Sequence, residues 1–281
     1  MSVTGGLGGA QTSWPRWAGN NFVSGLAALV RPPRVKPRRI RRAYLRLWVG
    51  ALVMLIVIAA AMVFVDASIA ESAKRAPASV IELFGFLTDF GKSGWFLWPT
   101  GILLAAIAAL ASPALAPLDR LLLATIAVRV GFLFMAIAVP SLFTTMIKRM
   151  IGRARPFVGE HADPFLYAPW VWRADHASLP SGHAATAFAA AVAVGLLWPA
   201  LRLPMLAYAA VIAVSRVVLD AHYLSDVTVG AMVGVIGAVL MRDAFAARRL
   251  GFAIGCDGSV KALPGPSWRR IKRVARRLFA S

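Results

Sequence analysis

The chain alternates apolar runs with short polar segments between residues 47 and 245. Six of these runs approach the roughly 20 residues that an α-helix needs to cross the hydrocarbon core of a bilayer. They are Leu47–Val65, Trp95–Ala111, Leu121–Met146, Ala184–Leu201, Met205–Leu219 and Val227–Phe245. Each run ends at charged residues, proline or glycine, which commonly bound helices. The pattern therefore predicts an all-α fold, a bundle of six transmembrane helices.

Composition supports a membrane protein. Hydrophobic residues make up 59% of the chain, and the mean hydropathy of +0.70 excludes an ordinary soluble domain. Two predicted spans are the least regular, because Met205–Leu219 is short for a full crossing and Leu121–Met146 contains Arg129. Cys256 is the only cysteine, which excludes disulfides and cysteine metal clusters within one chain.

Basic residues predict the orientation in the membrane. They are dense between Arg31 and Arg46, before the first span, and from Arg242 to Arg277, after the last. Cytoplasmic flanks of membrane helices carry such an excess of lysine and arginine. We therefore expect both termini in the cytoplasm. With six crossings, residues 147–183 and 220–226 then lie on the external face.

The same features divide the chain into three parts. Residues 1–46 are predicted to form a disordered, basic N-terminal cytoplasmic tail, residues 47–246 the six-span domain, and residues 247–281 a basic C-terminal cytoplasmic tail. Trp268–Phe279 has apolar residues near helical spacing among arginines and lysines, which is typical of a helix on a membrane surface. A solvated tail is the alternative.

The net charge of +19 would indicate nucleic acid as the partner of a soluble protein. In a membrane protein, anionic lipid headgroups are the expected partner of basic tails. We therefore expect no nucleic acid.

His222 and Asp226 form the first candidate catalytic pair. If the last helix begins near Ala221, the two side chains lie one turn apart on one face. A carboxylate that accepts from one imidazole nitrogen fixes the tautomer and leaves the other nitrogen free to attack an electrophile. His222 is therefore a candidate nucleophile. The alternative is a structural histidine at a helix start.

The segment Pro180-Ser181-Gly182-His183 lies at the mouth of the fourth predicted span. Free backbone N–H groups and the dipole at a helix N-terminus favour an anion. Ser181 can donate a further hydrogen bond, and Gly182 lets a phosphoryl oxygen approach the backbone. His183 is a candidate acid for a leaving alcohol and a candidate base for the attacking water. The alternative is an ordinary serine cap beside a bystander histidine.

Lys148, Arg155 and Arg216 supply three cations to the same predicted face. Lys148 and Arg155 are seven residues apart, so both project from one side if the third helix continues to Gly152 or beyond. Arginine matches phosphate oxygens with two parallel hydrogen bonds. Each cation alone is typical of a membrane interface, but three of them beside two histidines and a helix N-terminus predict a phosphate site.

Together these stretches resemble the three motifs of the type 2 phosphatidic acid phosphatase superfamily. The matching residues are Lys148 with Arg155-Pro156, Pro180-Ser181-Gly182-His183, and Ser215-Arg216 with His222 and Asp226. The resemblance implies a multi-pass lipid phosphatase of the bacterial inner membrane, with its active site facing the periplasm or exterior. Thr88–Ser93 also resembles a turn of bacterial members and is expected near the site.

The resemblance also implies roles for individual residues. It implies a phosphohistidine on His222, oriented by Asp226, and a leaving-group acid at His183. The positions that bind phosphate in the family are matched by Lys148, Arg155, Ser181, Gly182 and Arg216. The family mechanism requires no metal and no cofactor.

A site at headgroup level predicts a lipid substrate, because the lipid tails can stay in hydrocarbon while the phosphate reaches the cations. The expected substrate is a phosphate monoester or diphosphate: phosphatidic acid, phosphatidylglycerophosphate, undecaprenyl diphosphate or a lipid A phosphate. Two alternatives stay open. One is a non-catalytic membrane protein that binds anionic lipid, and the other is an enzyme like the vanadate-dependent haloperoxidases.

Overall fold

The computed structural model describes residues 14–34 and 41–279. Over these residues the chain forms ten α-helices and one two-stranded antiparallel sheet. The elements are α1 (Trp14–Val30), α2 (Arg41–Phe64), α3 (Asp66–Ala73), α4 (Ala78–Asp89), α5 (Gly94–Leu110), α6 (Pro117–Ile151), α7 (Gly182–Leu197), α8 (Arg202–Val218), α9 (Leu224–Ala247), β1 (Phe252–Ile254), β2 (Val260–Ala262) and α10 (Trp268–Phe279). Short 3-10 turns occupy Ala174–His176 and Pro199–Leu201.

Helices occupy all six predicted spans, and the protein is an integral membrane protein. Four helical stretches in the described residues are long and apolar enough to cross a bilayer: Ala78–Leu110, Pro117–Ile151, Pro199–Val218 and Leu224–Ala247. A fifth results if Trp48–Phe64 and Asp66–Ala73, which are bent by 60°, count as one span. α7 is apolar but has only 16 residues. Six spans therefore stay a prediction.

Small residues bring α7 and α9 into backbone contact. A Cβ added at Gly230 would lie 2.3 Å from the carbonyl oxygen of Ser181, and one at Gly234 would lie 2.3 Å from that of Ala185. Glycine at these two positions is what permits the close approach, as in other membrane helix pairs. The contact fixes the start of α7 against the second and third turns of α9.

The long helix α6 ends at Ile151, whereas the sequence-based expectation was that it continues to Gly152 or beyond. Gly152 adopts a left-handed conformation with φ of 65°, and a Cβ there would lie 1.9 Å from the carbonyl oxygen of Ala168. Glycine tolerates both the conformation and the close approach. The expectation that Arg155 continues the helix from Lys148 is therefore wrong. Arg155 lies in the loop that follows.

The N-terminal tail differs from the prediction. Trp14–Val30 form α1, which packs against the C-terminal end of α5. The indole of Trp17 donates to the carbonyl of Ala109 at 3.0 Å, and the amide of Asn21 donates to that of Ala111 at 2.9 Å. These bonds satisfy carbonyls that a helix end leaves free. The prediction of a disordered tail is wrong for this stretch, while residues 1–13 and 35–40 lie outside the described residues.

The C-terminal segment contains the small sheet, so the all-α prediction needs one correction. β1 and β2 pair Phe252 with Ala262. Asp257, in the turn between them, accepts from the backbone and hydroxyl of Ser259 at 3.0 and 2.7 Å, and such local bonds stabilise turns. α10 follows as a helix, as its spacing predicted, and its Arg277 lies 3.2 Å from Asp119 at the start of α6.

Candidate active site

The three sequence stretches converge at one end of the bundle. The C-terminal ends of α6 and α8 meet the N-terminal ends of α7 and α9 there. The backbone N–H of Ser181 donates to the carbonyl of Asp226 at 3.0 Å, and that of His222 donates to Arg216 at 3.2 Å. A Cβ added at Gly182 would lie 3.4 Å from the Lys148 ammonium nitrogen. The predicted residues are therefore close neighbours.

Lys148, Arg155 and Arg216 form what we call the cation cluster. Within the described residues, none of the three has a carboxylate within 4 Å. Arg216 is buried and donates from Nη1 to the Thr88 hydroxyl at 2.7 Å. The Nε atoms of Arg155 and Arg216 are buried without a hydrogen-bond partner there. Buried donors normally have an acceptor. The cluster therefore combines positive charge with unpaired donors, which is what an anion-binding site requires.

Ser181 and Gly182 bring a helix N-terminus to the cation cluster. Ser181 precedes the first residue of α7, yet its side chain makes no capping hydrogen bond. Its hydroxyl is buried and has no partner in the described part of the chain. The first N–H groups of α7 and this hydroxyl are therefore donors suited to phosphoryl oxygens.

His183 lies in the first turn of α7 and packs against the turn between α4 and α5. A Cβ at Gly91 would lie 2.9 Å from Cδ2 of the His183 ring. With the Thr88 bond to Arg216, this contact places the Thr88–Ser93 turn at the site, as expected. Glycine at position 91 allows this turn to approach the imidazole.

His222 lies in the connection between α8 and α9, two residues before α9 begins at Leu224. The expectation that His222 and Asp226 share a helical face is therefore wrong. The His222 side chain is buried, with 3% exposed. Burial lowers the pKa of His222 well below the usual value for histidine, and Arg216, Arg155 and Lys148 lower this pKa further. The imidazole is consequently neutral near pH 7 and has a free lone pair.

Asp226 lies beside His222 but forms its hydrogen bonds with other groups. The His222 Nδ1 to Asp226 Oδ2 distance is 3.9 Å, too long for a hydrogen bond. Oδ2 accepts from the Ser178 hydroxyl at 2.6 Å and from the Tyr223 backbone at 2.9 Å. Oδ1 accepts from Arg153 at 2.6 Å. The direct carboxylate–imidazole bond expected from the spacing is absent from this structure.

Sequence reasoning missed the ion-pair core, which consists of Arg153, Asp66, Ser225 and Asp226. Arg153 is fully buried and lies 3.0 Å from Asp66 and 2.6 Å from Asp226. Ser225 accepts from Arg153 at 2.7 Å and also donates to Asp66. The only sequence signals were an aspartate directly after an apolar run and an extra arginine between Lys148 and Arg155.

Arg153 also contacts two groups other than the carboxylates. Its Nε donates to the carbonyl of Pro164 at 2.9 Å, and the guanidinium lies 4.5 Å from the centre of the Tyr223 ring. The core thus ties the junction of α2 and α3 to the start of α9 and to the loop after α6.

Comparison with known proteins gives matches along most of the chain. The family model described as the PAP2 superfamily matches residues 129–250. A protein of Rhizobium johnstonii named "Lipid A 1-phosphatase" is 35% identical over 201 residues, which cover 70% of this chain and 80% of the relative. A protein of Rhizobium etli with the same name is 32% identical over 204 residues, covering 72% and 86%.

One solved structure also matches. It is the crystal structure of a transmembrane PAP2 type phosphatidylglycerolphosphate phosphatase from Bacillus subtilis. The sequence identity is 20% and the TM-score 0.43, with 71% of this chain and 94% of the other covered.

Proposed function

The chain belongs to the PAP2 superfamily, and from this premise we propose that it removes the 1-phosphate of lipid A through a covalent phosphohistidine. The membership itself makes the protein a membrane lipid phosphatase, a hydrolase of phosphoric esters. The choice of lipid A rests on the names of the two rhizobial relatives. The observation that carries the chemistry is the cation cluster, which lies around a buried histidine without carboxylate partners among the described residues.

His222 is the proposed nucleophile. Its Nδ1 faces Ser178 and Asp226, so the Nε2 lone pair on the other side of the ring attacks phosphorus. The N–P bond forms as the bond from phosphorus to the lipid oxygen breaks. Cations around the equatorial oxygens stabilise the charge that develops, which is the main help that phosphoryl transfer needs.

His183 is the proposed acid and base. It donates a proton to the lipid oxygen as that oxygen leaves, and later accepts one from the water that attacks the phosphohistidine. The buried Ser181 hydroxyl and the N–H groups at the start of α7 hold the phosphoryl oxygens. The oxygen of that water bonds to phosphorus as the N–P bond breaks, which releases inorganic phosphate and leaves His222 neutral and His183 protonated.

An apolar groove beside the site suits an acyl chain of the substrate. It has a volume of about 390 Å³ and lies between α2, α7 and α9. Its lining residues are Gly50, Ala51, Met54, Phe188, Thr228, Ala231, Met232, Val235 and Ile236. Thr228 follows Asp226 by two residues and Phe188 follows His183 by five. At about 1.5 Å per helical residue, the groove begins within about 10 Å of the site.

The proposed placement is the bacterial inner membrane, with both termini cytoplasmic and the site on the periplasmic face. α1 and α10 contact the ends of α5 and α6 that point away from the site, which supports opposite sides for tails and chemistry. α10 is amphipathic, with arginines and lysines beside one apolar stripe. We propose that it binds anionic headgroups. Residues 47–246 are proposed as the phosphatase domain, flanked by these basic segments.

Chemical labelling of Cys256, the single cysteine of the chain, tests this orientation. Cys256 is exposed and lies in the turn between β1 and β2. A membrane-impermeant maleimide should label it only after the inner membrane of spheroplasts is permeabilised. His161→Cys in a Cys256→Ser background is the matched reporter from the site side, and it should be labelled in intact spheroplasts. The reverse pattern would overturn the proposed orientation.

Phosphate release by the detergent-purified protein tests the function. The panel contains lipid A, lipid A that has only its 4′-phosphate, phosphatidic acid, phosphatidylglycerophosphate and undecaprenyl diphosphate. We expect release from lipid A and none from the 4′-monophosphate form. His222→Ala should abolish release, whereas His161→Ala, which removes an exposed histidine, should not. A different preferred lipid would correct the substrate, and equal activity of His222→Ala would overturn the nucleophile.

A further inference from the structure

We infer that Ser178 is a positioning residue that links His222 to Asp226. The inference rests on the proposed function, because it assigns the group that orients the proposed nucleophile. Ser178 is fully buried. Its hydroxyl oxygen lies 2.6 Å from Asp226 Oδ2 and 3.5 Å from His222 Nδ1. The serine therefore lies between the two groups that the sequence placed in direct contact.

The hydrogen-bond capacity of Asp226 favours this arrangement. A carboxylate oxygen accepts about two hydrogen bonds, and Oδ2 already accepts from Ser178 and from the Tyr223 backbone. Oδ1 is directed to Arg153. With its acceptor sites on Oδ2 filled and 3.9 Å separating it from the imidazole, Asp226 does not accept directly from His222.

Ser178 can accept where Asp226 does not. A serine hydroxyl has one donor hydrogen and two lone pairs. Its hydrogen is committed to Asp226, which leaves a lone pair for the Nδ1–H of His222. This direction of bonds fixes the Nδ1–H tautomer and leaves Nε2 unprotonated. As the N–P bond forms, positive charge develops on the imidazole ring, and the chain through Ser178 to Asp226 stabilises that charge. No proton leaves Nδ1 in this step.

Ser225 provides a matched control, because it is a second fully buried serine in the same region. It contacts Arg153 and Asp66, and no hydrogen bond joins it to His222 in the described residues. Ser178→Ala and Ser225→Ala therefore remove the same group from equally buried positions. Only the first removes the acceptor for Nδ1–H. Ser178→Thr keeps a hydroxyl at the position.

Rapid-quench measurement of the phosphoenzyme tests the inference. The purified variants are mixed with lipid A labelled with ³²P at the 1-position, and acid-labile protein-bound label is followed in time. The rate constant for the appearance of label reports attack by His222, and thermal unfolding in detergent reports whether each variant is folded. We expect Ser178→Ala to lower the rate constant about 10- to 100-fold, the size of one hydrogen bond to a charged group. Its thermal unfolding transition in detergent should stay unchanged.

The controls separate positioning from folding. Ser178→Thr should recover most of the rate constant, and Ser225→Ala should keep the wild-type rate constant. A wild-type rate constant in Ser178→Ala would overturn the positioning role. If Ser178→Ala fails to fold, Ser178→Cys replaces it, because a thiol is only a weak hydrogen-bond donor and acceptor. Equally lowered rate constants for Ser178→Cys and Ser178→Thr would then overturn the positioning role. Absence of phosphoenzyme in the wild type would overturn the proposed function itself, and this inference with it.

Discussion

Arg153 and Arg155 are separated by one residue, yet their surroundings are opposite. Arg153 belongs to the ion-pair core, where it lies within 3.0 Å of both Asp66 and Asp226. Arg155 belongs to the cation cluster and has no carboxylate within 4 Å among the described residues. Its Nε is buried and unpaired there. We therefore propose different roles for these two arginines of one loop.

The contrast shows how to separate a structural charge from a ligand-binding charge. A buried ion needs compensation, because removing it from water costs several kcal/mol. In the ion-pair core the compensation comes from the protein itself. In the cation cluster, we propose that a phosphate ligand supplies the compensation, and the stability of the fold is expected to suffer from mutual repulsion of the three cations. Mutations should therefore affect stability in one region and turnover in the other.

The largest stability effect is expected from Arg153→Met. This change leaves two buried carboxylates without their cation, and breaking a buried pair in this way typically costs about 3–5 kcal/mol. Thermal unfolding in detergent should show a markedly lower transition temperature. Arg173→Met, which removes an exposed partner of Asp175, is the control and should change the transition little. An unfolding transition for Arg153→Met at the wild-type temperature would contradict the structural role of the core.

The converse is expected for Arg155→Ala and Arg216→Lys. Each removes a preorganised donor to the phosphoryl group, a loss of about 100- to 1000-fold in kcat/KM, or about 2.7–4 kcal/mol. Lysine does not replace arginine here, because it lacks the planar pair of donors. Thermal unfolding should be unchanged or slightly improved in Arg155→Ala, since one repelling charge is gone. A large loss of stability with normal turnover would instead indicate that Arg155, like Arg153, has a structural role.

A smaller effect is expected in the apolar groove below the charged regions. Ala231 lines the groove, and Ala231→Phe places a bulky ring in the space proposed for an acyl chain. Release of phosphate from lipid A with its full-length acyl chains should fall, whereas release from a water-soluble analogue with short acyl chains should not. Leu206→Phe, in a second groove on α8, is the matched control. Equal loss on both chain lengths would indicate a folding defect rather than an acyl site.

The smallest effect concerns pH. The pKa of His222 is lowered by burial first and by the cation cluster second, so the neutral nucleophile persists below the usual histidine pKa of about 6.5. Activity should therefore be lost only as the pH falls through this depressed pKa. In Arg216→Gln one lowering charge is removed, and the acid limb of the kcat/KM profile should move to higher pH relative to wild type. A limb that moves to lower pH would contradict this electrostatic role.

Much of the candidate site was accessible from the sequence. The spacing of Lys148, Ser181 and Arg216 relative to the apolar runs placed them at one end of a bundle, and the structure brings them together. The helix count was less accessible, because α7 has only 16 residues and α2 bends at its junction with α3. Disorder was expected over residues 1–46, but contacts with α5 hold α1 in place. Local composition does not report such long-range contacts.

The chemistry-bearing residues and the apolar runs were determined by the sequence alone, because membrane partitioning and short motifs are local properties of the chain. Tertiary structure decided which partner each charge has. Arg153 meets Asp66 across 87 residues, and Ser178 meets Asp226 across 48. The energy of a buried charge depends on the groups within a few ångströms of it. No pattern along the chain specifies those neighbours, so only the packed structure separates Arg153 from Arg155 and inserts Ser178 beside His222.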